Sequence, residues 1–539
     1  MYSCVKTAIL NGIEAIGVTV ETDISEGMPV FDMVGYLSAE VKESRERVRT
    51  ALKSKGYSLP VKRITVNLAP ANVRKSGTGF DLPIAVSILA SMGIVNSEII
   101  SEMMIVGELS LNGDVNGVNG ILSMVISAKE SGINICIVPE ANYYEAKLIP
   151  DMNILPVNEL NQVISFLENL EEIGNANEFM KNYDGCKDNL IKDNNVDGQY
   201  DLNKDVNEDN HDGLRDEAYD FANINGQKIL RRACEVAISG MHNMLMVGPP
   251  GAGKSMIAKC IPSILPDLTV EEQIQISKIY SACGMFQERQ GLMSHRPFRS
   301  PHHTISPYGL VGGGNVVKPG EISLANKGVL FLDELTEFNK ATLEILRQPL
   351  EDKEVCISRV SGNYIFPADF ILVAAMNPCN CGYYPDLTKC HCSERSLKNY
   401  RNKLSQPLLD RIDLCVQAQT VGFADLKRLG TGEPSKEIRT RVERMHEIQR
   451  RRYEGCDFRF NSQIPVSMLE KFCCLNEIEE KFMEQMYSKM NLTARTFHRV
   501  LRVARTIADM SGERDIKVIH LQEALCYRAM DKNFWGGDT

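Results

Sequence analysis

Apolar and polar residues alternate along Ile13–Thr22, Arg63–Leu68 and Ile133–Pro139, whereas Ser38–Lys55 and Asp81–Met92 repeat apolar positions at every third or fourth residue. A period of two predicts strands and a period near 3.6 predicts helices. The N-terminal region therefore reads as an α/β or α+β layered domain. After a polar interruption the pattern resumes with a helix over Gln227–Ser239 and an apolar strand, Asn243–Val247, that runs into a Gly-rich turn. Further buried strands are predicted at Gly328–Leu332 and Phe370–Ala375, and residues 426–539 have helical spacing.

The interruption, Asp193–Gly213, is dense in Asn and Asp and almost free of apolar periodicity, which is the composition of a solvated linker. The expected organisation is a domain over 1–170, a linker over 171–220, an α/β core over 221–425 and a helical domain over 426–539. With 539 residues, 43% hydrophobic and 24% charged, the chain is neither a small disulfide scaffold nor a fibrous or mostly disordered protein. Its net charge of −10 is concentrated: Lys181 to Asp220 holds ten Asp and two Glu against four Lys and one Arg, leaving −3 for the other 499 residues. Electrostatic footprints are local, so the overall acidity excludes nothing about DNA. No apolar stretch approaches the roughly 18 residues of a membrane span, and Met1–Gly12 lacks the basic-then-apolar order of an export signal. The expectation is a cytoplasmic protein without a membrane partner, whose 16 Cys are thiols or metal ligands rather than disulfides.

Gly248, Pro249, Pro250, Gly251, Ala252, Gly253, Lys254 and Ser255 fit the phosphate-binding pattern GxxxxGK[ST] between an apolar strand and a helix entered at Met256. The glycines let backbone N–H groups curl round phosphates, Lys254 reaches the β and γ phosphates, and Ser255 ligates Mg2+. ATP and Mg2+ are the expected cofactors. The strand at Gly328–Leu332 ends in Asp333 and Glu334, at the edge where α/β sheets bind ligands. Asp333 suits the Mg2+ shell, and Glu334 suits the general base that polarises water. A third strand ends at Asn377, either an amide facing the γ-phosphate or an ordinary turn former. Arg411 reads either as a finger acting on a neighbouring subunit's γ-phosphate or as the ion-pair partner of Asp410 or Asp413.

Directly after Asn377, Cys379, Cys381, Cys390 and Cys392 form two CxC pairs with eight residues between them. Four thiolates folded back in this way suit a closed, structural Zn2+ site, with His391 able to replace one Cys. Between the Gly-rich turn and Asp333, a segment carrying Arg296, Arg299, His302 and His303 is followed by Gly312–Gly314 and Lys318. Basic side chains on flexible backbone suit a loop gripping a phosphate backbone, and equally a rigid surface packed against another subunit. Arg359–Phe366 is expected to be a hairpin turning at Gly362–Asn363, with Tyr364 and Phe366 on one face, able to stack on bases or to join the core. The basic stretch Arg439–Arg452 is expected to be a solvated helix face or a subunit contact.

The segments Val41–Arg49, Arg63–Pro70, Phe298–His303, Thr493–Arg495 and Ala504–Ala508, in this order with the nucleotide motifs, resemble the magnesium-chelatase-like YifB/ComM family of AAA+ ATPases, in the helix-2-insert clade. The resemblance implies a multidomain α/β protein: an N-terminal Lon-protease-like α+β domain, a P-loop AAA+ domain and a C-terminal helical lid. It makes Gly248–Ser255 Walker A, Asp333 and Glu334 Walker B, Asn377 sensor 1, Arg411 the arginine finger and Arg495 sensor 2. It further implies self-assembly into a ring, commonly a hexamer, and a DNA helicase or branch-migration activity in recombination or natural transformation. The alternative is a chelatase-like ATPase that remodels a protein partner. Where Lon-like enzymes carry the nucleophilic Ser this chain has Gly79, and Leu122 stands at the partner Lys position, so proteolysis is not expected. A shifted register pairing Lys75 with Ser76 or Thr78 is the one remaining route to it.

Overall fold

The computed structural model describes residues 2–173, 219–286, 291–314, 316–359, 362–419 and 432–528; the expected linker lies almost entirely outside them. The N-terminal strands are β1 (Tyr2–Asn11), β2 (Glu14–Ser25), β3 (Val30–Val34), β4 (Arg63–Ala69), β5 (Met103–Ile105), β6 (Glu108–Leu109), β7 (Val115–Asn116), β8 (Ile135–Pro139) and β9 (Asn153–Val157). Seven of them form one mixed sheet in the order β3-β4-β2-β1-β5-β8-β9. Successive residues of its inner strands feed two different cores, as a pleated strand buried on both faces requires. Met103, Ile105 and Ile137 pack with helices Ala39–Ser54 and Asp81–Ser91. Met104, Val106 and Val138 pack with helix Ile121–Glu130 on the other side.

The predicted strands and helices of this region are present within a few residues of their expected ends. The long first strand, β1, was not expected; it pairs antiparallel with β2 from Tyr2↔Asp23 to Asn11↔Glu14.

The second sheet is built from β10 (Met244–Val247), β11 (Phe298–Arg299), β14 (Val329–Leu332), β17 (Ile371–Met376) and β18 (Leu414–Gln417). Between them lie two small hairpins, β12 (Gly312–Gly313) with β13 (Lys318–Pro319), and β15 (Glu354–Arg359) with β16 (Gly362–Pro367). The sheet order is β11-β14-β17-β10-β18, and every pairing is parallel. Parallel strands align their C-terminal ends, which brings the ends of β10, β14 and β17 to one edge. Met244 and Met246 face one core, shared with helices Lys228–Gly240, Ser435–Arg452 and Ala494–Met510. Leu245 and Val247 face another.

Asp413 joins the sheet to the C-terminal helices: it accepts from the Asn243 N–H at 3.2 Å, lies 3.4 Å from His242 Nδ1 and is ion-paired with Arg499. Burial alone would raise its pKa, but Arg499 and His242 hold the carboxyl far below the usual range. The N-terminal sheet docks on the same module. Ile13, at the tip of the β1–β2 hairpin, belongs to the core that contains Phe366, and Glu14 meets Lys278 at 2.8 Å.

Two expectations need correction. Pairing of Arg359 with Gly362 and of Ser358 with Asn363 puts Gly362 and Asn363 inside β16 rather than at the expected turn. Phe298 and Arg299 are an edge strand beside β14 rather than part of a loop.

Candidate active site

The Gly-rich turn leaves β10 and enters helix Lys254–Cys260 through Gly253, whose φ of 80° lies in the left-handed region that glycine tolerates. This aims the helix N-terminus and the turn's N–H groups into one concavity. Lys254 is buried, and its ammonium donates to the Gly248 carbonyl at 2.7 Å, the Pro249 carbonyl at 2.9 Å and Asn377 Oδ1 at 3.2 Å. Burial lowers its pKa, against the opposing pull of Asp333. Ser255 Oγ donates to Asp333 Oδ2 at 2.5 Å. A hydroxyl and a carboxylate oxygen so close are hard donors of the kind that hold Mg2+, and the ion would neutralise phosphate charge there.

Glu334 follows Asp333 with φ 51°, in the left-handed region where a non-glycine residue is strained, and its N–H donates to Asp333 Oδ1 at 2.9 Å. Its half-exposed carboxylate turns toward His303, with Oε2 3.5 Å from Nδ1, and the His303 ring lies tilted by 35° against that of His302, 4.0 Å between ring centroids.

The cysteine loop lies against this concavity. Sγ atoms of Cys379, Cys381 and Cys390 are 3.3, 3.5 and 3.8 Å apart, and with Cys392 all four sulfurs fall within 4.8 Å of one another. A tetrahedron of sulfurs with Zn–S bonds of about 2.3 Å has edges of about 3.8 Å, so the donor set fits Zn2+ closely. The Tyr383 backbone N–H, then the Cys379 side chain, bring the Cys381 thiol down to about 6. His391 is exposed and outside the cluster. Gly382, with φ 85°, rests on the Gly-rich turn: a Cβ there would fall 2.6 Å from Pro250 Cδ.

The remaining candidates are dispersed. Arg411 is buried and held by its own chain, donating to the Arg347 carbonyl at 3.0 Å and the Pro407 carbonyl at 2.6 Å, with Glu351 Oε1 at 2.6 Å. Its ion-pair partner is thus Glu351, rather than Asp410 or Asp413. Arg495 is exposed, 3.7 Å from Asp410.

Arg296 donates to the Pro266 and Lys327 carbonyls and pairs with Glu272 at 3.0 Å; Arg299 grips Glu321 at two points, 2.7 and 2.9 Å. Both guanidiniums are thus engaged by groups of their own chain, an internal pairing that neither expectation for this segment, a loop gripping DNA or a surface packed against another subunit, included. Tyr364 and Phe366 do share a face, and it is the core face. Lys318 and His302 are exposed, and so is a residue that the sequence did not single out: Tyr308, 67% exposed, with the Arg359 guanidinium 5.9 Å from its ring centre.

In the N-terminal domain, a Cβ at Gly79 would meet Val118 and Val106, and Leu122 is wholly buried among apolar residues. Lys75 donates to the Pro70 carbonyl and Thr78 to Glu108, so the shifted pair is directed to separate partners.

Comparison with known proteins agrees with this architecture. Residues 220–426 match the family model described as magnesium chelatase, subunit ChlI; residues 20–142 match subunit ChlI of Mg-chelatase, and residues 432–528 its C-terminal region. The chain is 39% identical over 522 residues to competence protein ComM of Haemophilus influenzae, covering 96% of each. It is 37% identical over 531 residues to YifB of Escherichia coli, covering 98% of this chain and 97% of that protein. A Lon protease of Methanosphaera stadtmanae is 26% identical over 156 residues, 27% of this chain and 19% of that enzyme. Among the described residues no helix is long and apolar enough to cross a membrane. With near-full-length relatives at this identity and a parallel sheet that brings Lys254, Asp333 and Asn377 to one edge, the chain belongs to the ComM/YifB family of magnesium-chelatase-like AAA+ ATPases.

Proposed function

We propose that this AAA+ ATPase assembles into a ring, commonly a hexamer, and couples Mg2+-dependent ATP hydrolysis to movement along DNA, as a helicase or branch-migration motor. The observation that carries the hydrolytic part is the convergence of Lys254 with Asn377 and of Ser255 with Asp333 at one sheet edge. Lys254 and the turn Gly248–Ser255 hold the phosphates, Ser255 and Asp333 hold Mg2+, and Asn377 orients the γ-phosphate. Glu334 takes the proton from the attacking water. Arg411 and Arg495 complete the site from a neighbouring subunit and from the lid. The Cys379–Cys392 loop holds a structural Zn2+ that stiffens the side of the concavity.

Exposed Lys318 and the Tyr308–Arg359 pair support the DNA part, because a cation beside an aromatic face suits a nucleic-acid strand. The name of the Haemophilus influenzae relative, competence protein, supports a role in natural transformation. The N-terminal domain serves assembly or DNA docking rather than peptide hydrolysis, given Gly79 and Leu122. A second reading, remodelling of a protein partner, is favoured by the internal engagement of Arg296 and Arg299.

Steady-state ATP turnover with single-stranded, duplex and four-way-junction DNA, with Glu334→Gln as control, separates the readings. Stimulation by DNA that is lost in the variant supports the motor. Turnover indifferent to every DNA transfers the assignment to a protein partner.

A further inference from the structure

The helix Glu394–Arg401 leaves the cysteine loop at Ser393, whose side chain caps it, and delivers Tyr400 to a buried position behind the nucleotide site. There the Tyr400 hydroxyl donates to the Asn377 carbonyl at 3.1 Å and accepts from Thr336 Oγ1 at 2.8 Å. Thr336 lies in the short helical turn Leu335–Glu337 that immediately follows Glu334, and the Glu337 N–H closes that turn on the Glu334 carbonyl at 2.7 Å. A second bond from the same direction reaches this turn, Lys403 to Glu337 at 3.1 Å. Burial raises the Tyr400 pKa, so the phenol stays protonated and keeps its one donor for Asn377.

We propose that Tyr400 is a positioning residue for hydrolysis. Through one hydroxyl it fixes the end of β17, which presents the Asn377 amide, against the turn that presents the Glu334 carboxylate. Strands β14 and β17 are adjacent in the sheet, but their ladder stops at Leu332↔Ala374, before either functional side chain. Beyond that point the main-chain register no longer sets the spacing between amide and carboxylate, and the Thr336–Tyr400–Asn377 chain of hydrogen bonds does. The base and the γ-phosphate sensor must meet one water within a few tenths of an ångström, so loosening the bridge affects the chemical step more than nucleotide binding. Tyr400 acts through Asn377 and Thr336, the two residues its hydroxyl engages. The inference rests on the reading of Glu334 as general base and Asn377 as sensor.

Tyr400→Phe removes the hydroxyl and keeps the ring. The expected result is a kcat lower by about ten-fold with KM for ATP unchanged, beside a small fall in melting temperature, since one buried hydrogen bond is worth roughly a factor of ten. Thr336→Val should cost a similar factor, and the double variant little more than either single one, because both break the same bridge. Turnover of both single variants within two-fold of wild type overturns the proposal, as does a loss in kcat matched by a rise in KM. Glu334→Gln measured in parallel separates the failures: a dead Glu334→Gln beside an active Tyr400→Phe removes only Tyr400. An active Glu334→Gln removes the underlying assignment of the base.

Discussion

The Asn377 amide oxygen sits 3.2 Å from the Lys254 ammonium, so the residue that follows β17 touches the residue that opens the helix after the Gly-rich turn. Arriving phosphate would be read by both at once. Asn377→Ala should lower kcat by about a hundred-fold, the usual loss for one aligned polar group, with little change in nucleotide affinity. Lys254→Ala should abolish affinity. Fluorescent-nucleotide binding beside steady-state turnover checks both.

Arg411 is the candidate whose surroundings argue most against a simple role. Two backbone carbonyls and Glu351 already engage it within its own chain. If it acts on a neighbour's nucleotide, Arg411→Ala should reduce turnover by about a thousand-fold, and mixing it with Lys254→Ala should restore part of it, each variant supplying what the other lacks. A mixture as inactive as its components, with a lowered melting temperature for Arg411→Ala, would leave Arg411 as an internal brace.

For the cysteine loop the expected stoichiometry is about one zinc per chain, read by metal analysis of protein prepared without chelator. Cys390→Ser should lose the metal. Gly382→Ala should keep it yet raise KM for ATP, because its methyl group falls on Pro250. A normal KM in both variants would disconnect the loop from the nucleotide site.

Asp413 gives a pH signature. A carboxyl held below its unfolded value stabilises the fold at every pH above that value, near 3.9, and the contribution fades as pH falls from there toward the lower folded value. Asp413→Asn should cost about 3–5 kcal/mol at pH 7, since it leaves the Arg499 guanidinium without its partner. The gap between variant and wild-type melting temperatures should hold down to about pH 4 and shrink only below it.

What the sequence made legible was periodic or local. β2, β4, β10, β14 and β17 follow from alternation or short apolar runs, and the phosphate-binding turn from its spacing. β1 escaped because Thr7, Ala8 and Ile9 are all buried, which erases the alternation of a half-exposed strand. β11 escaped because two strand residues flanked by Pro297 and Pro301 read as a loop. Arg296 and Arg299 carry the same charge whether they face DNA or an internal carboxylate, and their partners Glu272 and Glu321 lie 24 and 22 residues away. Tyr400 meets residues 64 and 23 positions distant, for which no sequence spacing prepares the reader.

Ile13 seals the N-terminal sheet to the ATPase through a shared apolar seam, with Gly12 close against Ile365 and Phe366 of β16. Such a seam cannot slide without admitting water. Movement of the β15–β16 hairpin is thereby tied to the tip of the β1–β2 hairpin. A chain shortened to begin at residue 219 would lose the packing of Gly12 and Ile13 against Ile365 and Phe366.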